Sequence, residues 1–371
     1  MTPACPADSR PLGPREILGV PALPPGAVTG VAERLRAAVA RLHRRLAPPP
    51  LQVLEGVLGL LDPVALGALC RLDVPDRLDR PVPLDRLAAA TGADPDVVAR
   101  LVRYGAGRGW LRLDRRGRVH ATRTTRFLRR DHPGGWRAWV EFACGPEVMA
   151  AAAQLASAPA VPDAFAAANG ASFFDWLPAH PERHAAFDAA MAAGGRMHGL
   201  ALARAVDWSG VQRVCDVGGG AGALLGVLLD QHPHLHGVLF DLEPVVARAR
   251  PHDRLDVVGG DAFAGLPPGC DLYLFVNVIH DWDDAAAVRL LRGVGASGGP
   301  RARALVVEGE RRSRPVDGIA LRTDLLMLTV APGGRERTTA ELGALGTRAG
   351  LRLATTTRLA SGDLAHLFAP A

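Results

Sequence analysis

The stretch Val211 to Asp241, VQRVCDVGGGAGALLGVLLDQHPHLHGVLFD, constrains the fold more than any other part of this 371-residue chain. A short apolar run, Val214 to Val217, carries Asp216 and breaks into Gly218, Gly219, Gly220 and Gly222. The spacing of Leu224, Leu225, Val227, Leu228 and Leu229 then predicts a helix, so the segment reads as strand, glycine turn, helix. A second apolar run, Gly237 to Phe240, ends on Asp241. That places a carboxylate at the edge of a parallel sheet where open α/β folds bind nucleotide-like ligands.

Two ligands fit such a turn. Gly218, Gly220 and Ala223 satisfy the dinucleotide pattern G-x-G-x-x-G/A, and Asp241 supplies an acid about twenty residues on. S-adenosylmethionine differs from a dinucleotide in carrying an ammonium group, and Asp216, just ahead of the glycines, is placed to accept a hydrogen bond from it. A pyrophosphate offers no such donor, so Asp216 favours the methyl donor, while the glycine pattern alone leaves both open. Further on, the apolar run Leu255 to Val258 leads to Gly260-Asp261-Ala262-Phe263, an acid and a ring suited to flank adenine. DLYLFVNVIHDWDD, Asp271 to Asp284, then carries a strand through Val276 and Asn277 straight into His280, Asp281 and Trp282.

The net charge of +5 raises nucleic acid as a partner, but all 43 basic residues are arginine, amid abundant alanine, glycine and proline. That is the mark of a GC-rich genome and weak support for an acidic partner. The length and 48% hydrophobic content allow two domains with sizeable cores. No run approaches the about eighteen apolar residues of a membrane span, and the proline-cut N-terminus lacks a signal-peptide core, so a cytoplasmic location with no membrane partner is expected. Cys5, Cys70, Cys144, Cys215 and Cys270 are scattered, which suits a reduced compartment and gives no metal site. HPHLH, His232 to His236, reads as a solvated turn.

Residues 1–47 read as a mobile extension in which only Val28 to Leu46 has a helical pattern. After Pro48-Pro49-Pro50, apolar residues at 51, 54, 58, 61, 65 and 69 predict an amphipathic helix. Leu87 to Thr91 and Pro95 to Gly105 predict two short helices, the second with Val97, Val98, Leu101 and Val102 inward. Trp110 to Ala121 predicts a hairpin about Arg115-Arg116-Gly117. This is a winged helix-turn-helix, and Arg100 and Arg103 on its second helix make DNA binding a legitimate reading in isolation. From Phe142 to Leu202 the pattern is helical; Phe187 and Met191, four apart, share a face that is either core or pocket.

DVGGGAG, GDAF, HDWDD, the VVE of Val306 to Glu308 and the GGRERT of Gly333 to Thr338 stand in an order and spacing that resembles the plant-type small-molecule O-methyltransferases. That family includes caffeate and isoflavone methyltransferases and actinomycete enzymes that decorate aromatic polyketides. The resemblance implies an α/β protein: a Rossmann-like, seven-stranded methyltransferase domain at 206–371 with its last strand antiparallel, a winged-helix dimerisation domain at 48–145, and linking helices at 146–205. It implies a homodimer that binds no nucleic acid.

It also implies S-adenosylmethionine, with S-adenosylhomocysteine as product, held by Asp216, Gly218, Gly220, Asp241, Leu242, Asp261, Ala262, Phe263, Val276 and Asn277. The hydroxylated aromatic substrate would meet Phe174, Phe187, Met191, Asp281 and Met327, the last in an insertion from Asp324 to Pro332. No metal is implied. His280 matches the general base of the family, and Glu308 and Glu336 the carboxylates that bracket it, with Glu310 and Asp281 as nearby rivals. A phenol has a pKa near about 10, so an imidazole that takes its proton during attack is worth about 10² to 10⁴ in rate. Many plant members carry a cofactor-contacting lysine where Val276 stands, so that contact is absent or replaced. Some members have drifted to hydroxylation or decarboxylation; His280 with both glutamates argues for methylation. HDWDD also separates this reading from a ligand-sensing winged-helix regulator and from a nicotinamide oxidoreductase, since neither needs a histidine-led turn with two glutamates downstream.

Overall fold

The computed structural model describes residues 13–371, so Cys5 and the first prolines lie outside the described residues. Seven strands form the large sheet: β1 (Arg213–Val217), β2 (His236–Asp241), β3 (Leu255–Gly259), β4 (Leu272–Val276), β5 (Arg303–Glu308), β6 (Leu351–Arg358) and β7 (Leu364–Pro370). Their order is β3-β2-β1-β4-β5-β7-β6, all parallel except β7, which runs antiparallel to β5 and β6. The chain reverses its direction of progress between β1 and β4, the switch point at which such sheets bind ligands.

Strand residues alternate between two cores, as a period of two requires. Cys215, Val217, Tyr273, Phe275, Ala304 and Val306 pack under the helices Asp284–Gly298 and Thr339–Arg348. Val214, Leu239, Leu274, Leu305 and Val307 pack under the helix Ala223–Gln231 and the last turns of the long helix Pro181–Ala205. Burial on both faces explains why these strands read as continuous apolar runs.

The N-terminal half contains the expected winged helix. Helices Leu84–Thr91 and Pro95–Gly107 precede strands Leu111–Leu113 and Arg118–Ala121, which join Val82–Pro83 in a three-stranded sheet. Asp94 caps the second helix by accepting from Asp96 N and Val97 N. Val97 does not point inward as expected: it is 50% exposed, because the buried line of that helix runs through Val98, Val102 and Gly105.

Two expectations for the N-terminus are corrected. Residues 13–47 are not a loose extension: Ile17 is buried, with its carbonyl accepting from Trp136 Nε1 at 3.2 Å, and the helix Gly26–Leu46 lies against β6. Glu33 pairs with Arg312 and Arg358, and Arg44 pairs with Asp317 at 2.7 Å. This helix is held through ion pairs and the close approach of Gly26 and Gly30 to Arg358, while Val31, Leu35, Val39 and Leu42 stay exposed, so an apolar pattern could not report its docking.

The second correction concerns the helix after Pro48. Ala65 and Leu69 are buried, whereas Leu51, Leu54, Leu58 and Leu61 on the same stripe are exposed. The helical stretch Pro49–Arg71 is by length and composition apolar enough to cross a membrane, which the sequence reading did not anticipate.

Candidate active site

At the end of β1 the chain must turn sharply, and Gly218, Gly220 and Gly222 all adopt φ between 61° and 81°, a region L side chains rarely enter. Asp241, at the matching end of β2, braces the turn by accepting from Gly220 N at 2.8 Å and Leu242 N at 2.7 Å. Asp216 is buried, and its Oδ2 has no hydrogen-bond partner. Burial, then the charge of Asp241, pushes its pKa up to about 7. A Cβ at Gly219 would come within 2.7 Å of that oxygen, so the bare glycine keeps it open. A buried acceptor without a partner is costly unless a ligand donates to it, and the ammonium of S-adenosylmethionine fits.

The other expected cofactor residues gather on the same sheet edge. Asp261 Oδ1 accepts from Phe263 N at 2.8 Å, and Ala262 and Phe263 lie against the core below Trp282. The Phe263 ring meets Trp282 edge-on at 4.7 Å, with Arg289 over its face. Leu242 is exposed beside Asp241. Val276 ends β4, packed against the core, and Asn277 follows with φ of 54°. A non-glycine residue in that region, next to a reactive side chain, is a typical place for stored backbone strain.

His280 lies in a single 3₁₀ turn, Ile279–Asp281, which Val278 separates from Asn277. Its Nδ1 is 3.1 Å from Glu308 Oε2 and 3.2 Å from Glu336 Oε1, and its Nε2 is 3.5 Å from Asp281 Oδ1. Glu308, the last residue of β5, receives the backbone N–H groups of Val278, Ile279 and His280 on Oε1. Glu336 receives the Thr323 hydroxyl at 2.9 Å. Burial lowers the imidazole's basicity, but the carboxylates of Glu308, Asp281 and Glu336 outweigh it and push the pKa up to about 10. Burial in turn raises Glu308 to about 8 and Asp281 to about 6. Glu310, a rival on sequence, turns away to Arg312 and Arg358. The ligand atoms of His280, Glu308 and Glu336 lie within 4.8 Å of one another, a grouping able to hold a metal ion that the sequence reading did not foresee.

Arg337 was not singled out in the sequence, although it sits beside Glu336 in GGRERT. It is buried, and it donates to the carbonyls of Ile279 at 2.9 Å and Trp282 at 2.7 Å while pairing with Asp284. It therefore clamps both ends of the His280 turn. Arg337→Met should leave two carbonyls without donors and lower stability by about 2 to 5 kcal/mol, to be read from urea denaturation; a loss below about 0.5 kcal/mol would contradict the clamp.

The aromatic wall is built on helices. Phe187 lies 5.3 Å from Phe142 and 5.1 Å from Phe173, ring centroid to centroid, and Phe174 stacks on Trp282. Met191 and Met327 join the same cluster. Phe142 and Phe173 had no motif to mark them. The expected insertion Asp324–Pro332 is largely the end of a regular helix, Ile319–Val330. HPHLH is not simply solvated, since His232 and His234 bond the carbonyls of Ala203 and Trp208.

A mostly parallel seven-stranded sheet of this order, a glycine turn at its switch point and an orphaned acid at the turn define an α/β methyltransferase. Residues 151–352 match the O-methyltransferase domain family and residues 54–131 its dimerisation domain, and the chain belongs to that family of S-adenosylmethionine-dependent enzymes. It is 34% identical to the 2,7-dihydroxy-5-methyl-1-naphthoate 7-O-methyltransferase of Streptomyces carzinostaticus, over 71% of this chain and 81% of the relative. It is 35% identical to the 8-amino-8-demethylriboflavin N,N-dimethyltransferase of Streptomyces davaonensis, over 77% and 85% respectively. The crystal structure of LaPhzM superposes with a TM-score of 0.81 at 29% identity, covering 88% of this chain and all of that one.

Proposed function

We propose that this enzyme methylates a phenolic hydroxyl of an aromatic, polyketide-like natural-product intermediate in the cytoplasm, with His280 as general base. The observation that carries the reading is the pinning of His280 Nδ1 between two buried carboxylates. That arrangement fixes the tautomer, stabilises the imidazolium and leaves Nε2 as the nitrogen that takes the proton. S-adenosylmethionine supplies an electrophilic methyl group when bound. Asp216 and the glycine turn would hold its methionine end, Asp241 its ribose, and Asp261, Ala262 and Phe263 its adenine, with Leu242, Val276 and Asn277 lining the cleft. Phe174, Phe187, Met191 and Met327 would hold the aromatic acceptor in place. The reading needs no metal.

The test is parallel calorimetry with S-adenosylhomocysteine and NAD, followed by mass spectrometry against hydroxylated naphthoates and anthraquinones. S-adenosylhomocysteine binding and an O-methylated product are expected. NAD binding in its place, or a hydroxylated or decarboxylated product, would refute the reading.

The same proposal makes the protein a homodimer joined through its N-terminal domain. The exposed faces of Leu51, Leu54, Leu58 and Leu61 overlap the matched dimerisation segment and are too extensive for a solitary monomer. Light scattering at micromolar concentration should give twice the chain mass, and Leu54→Glu with Leu58→Glu should halve it. A monomeric wild type would end the idea.

A further inference from the structure

Three buried polar atoms that flank the long helix and the glycine turn lack partners: an acceptor, and two donors of which Arg196 Nε is one. Asp216 Oδ2 is an acceptor, and Trp139 Nε1 is a donor. Trp139 stands on the helix Arg137–Ala143 and meets Phe142 edge-on at 5.9 Å, so its indole belongs to the aromatic wall. An indole N–H has no use for apolar neighbours, and leaving it buried and unpaired is unfavourable.

Its position follows from two adjacent glycines on the long helix Pro181–Ala205. A Cβ at Gly194 would lie 4.0 Å from Trp139 Nε1, and a Cβ at Gly195 would lie 3.4 Å from Leu224 N. Leu224 is in the first turn of the helix Ala223–Gln231, whose N-cap, Gly222, offers no side-chain acceptor. The indole N–H and the open N-terminus of that helix thus flank the same short length of the long helix. Unsatisfied N–H groups at a helix N-terminus favour an anion. Arg196, the nearest cation on the long helix, is two residues past Gly194 and so about 200° round the helix. Its Nη2 donates to the carbonyl of Gly134, while its Nε is left without a partner.

We propose that Trp139 binds the cofactor, its indole N–H donating to the methionine carboxylate of S-adenosylmethionine while Asp216 receives the ammonium. A donor and an acceptor, both buried and both without partners, are together satisfied by an amino-acid zwitterion. A pyrophosphate would leave Asp216 unmatched, and an apolar acceptor would leave Trp139 unmatched.

The experiment compares two ligands on the full-length protein. S-adenosylhomocysteine has the amino-acid group, and 5′-methylthioadenosine retains the nucleoside and sulfur without it. Trp139→Phe keeps an aromatic ring in the wall. By calorimetry it should bind S-adenosylhomocysteine about 10- to 100-fold more weakly, as for a hydrogen bond to a charged group, while 5′-methylthioadenosine affinity changes by less than about twofold. Unchanged S-adenosylhomocysteine affinity would overturn the assignment. An equal loss for both ligands would overturn it too, since that pattern belongs to disturbed packing.

Discussion

His280→Gln is expected to lower the single-turnover methyl-transfer rate by about 10² or more, the lower range of general-base catalysis, with S-adenosylhomocysteine affinity nearly unchanged. Most of the proposed cofactor contacts lie at the ends of β1, β2 and β3, with Val276 and Asn277 at the end of β4, whereas the His280 side chain is held from β5 and from Glu336 beyond it. A loss below about tenfold would mean that positioning carries the rate and would remove His280 as the base.

The pH dependence has a definite sign. Only the neutral ring accepts a proton, and the surrounding carboxylates push the imidazole's pKa up to about 10. The rate should therefore climb from neutral into alkaline pH before it levels. Phenols ionise near the same pH, so the wild-type curve alone does not separate base from acceptor. Glu308→Gln does: it removes a carboxylate from Nδ1 while keeping an oxygen for the backbone N–H groups of 278–280. The inflection should then move to lower pH, and an unmoved inflection would assign the titration to the acceptor.

Asp241→Ala is expected to weaken S-adenosylhomocysteine binding by about 1.5 to 3 kcal/mol, as for lost hydrogen bonds to a charged group. The side chain also receives Gly220 N and Leu242 N, so the loss combines a ribose contact with a loosened turn. Asp241→Asn keeps an acceptor oxygen without the charge and should fall between wild type and alanine. Unchanged affinity in the alanine variant, measured by calorimetry, would take Asp241 out of the site.

The sheet was legible because its central strands are buried on both faces and the turn after β1 is marked by glycine. Val214, Cys215 and Val217 followed by Gly218 permit few other readings. His280 and its two glutamates were legible only through the spacing of separate motifs, since Glu308 and Glu336 lie 28 and 56 residues from the histidine they meet. Arg337 was not legible, because its task is to satisfy the carbonyls of Ile279 and Trp282, and backbone acceptors leave no trace in a side-chain pattern. The helix Gly26–Leu46 misled for the opposite reason: its apolar residues face outward and its anchoring residue, Glu33, looks like ordinary surface charge. The stripe from Leu51 to Leu69 is helical but divided at Gly59-Leu60 into Pro49–Leu58 and Leu61–Arg71, and its first half has no cover within the described residues.

The histidine turn is fastened to the sheet, through Glu308 at the end of β5 and the clamp of Arg337, whereas the aromatic wall rests on helices that lie outside the sheet. On the proposed reading, proton removal and acceptor choice thus rest mostly on different elements, which meet where Thr323, on the helix that carries Met327, donates to Glu336. Replacing Phe187 or Met191, both on the long helix Pro181–Ala205, would then reshape the chamber without touching a group that holds the imidazole, so such a scaffold is free to diversify its acceptors while inheriting its chemistry intact. One relative methylates a naphthoate oxygen and another a flavin amine, a breadth that this division of labour makes accessible by small steps.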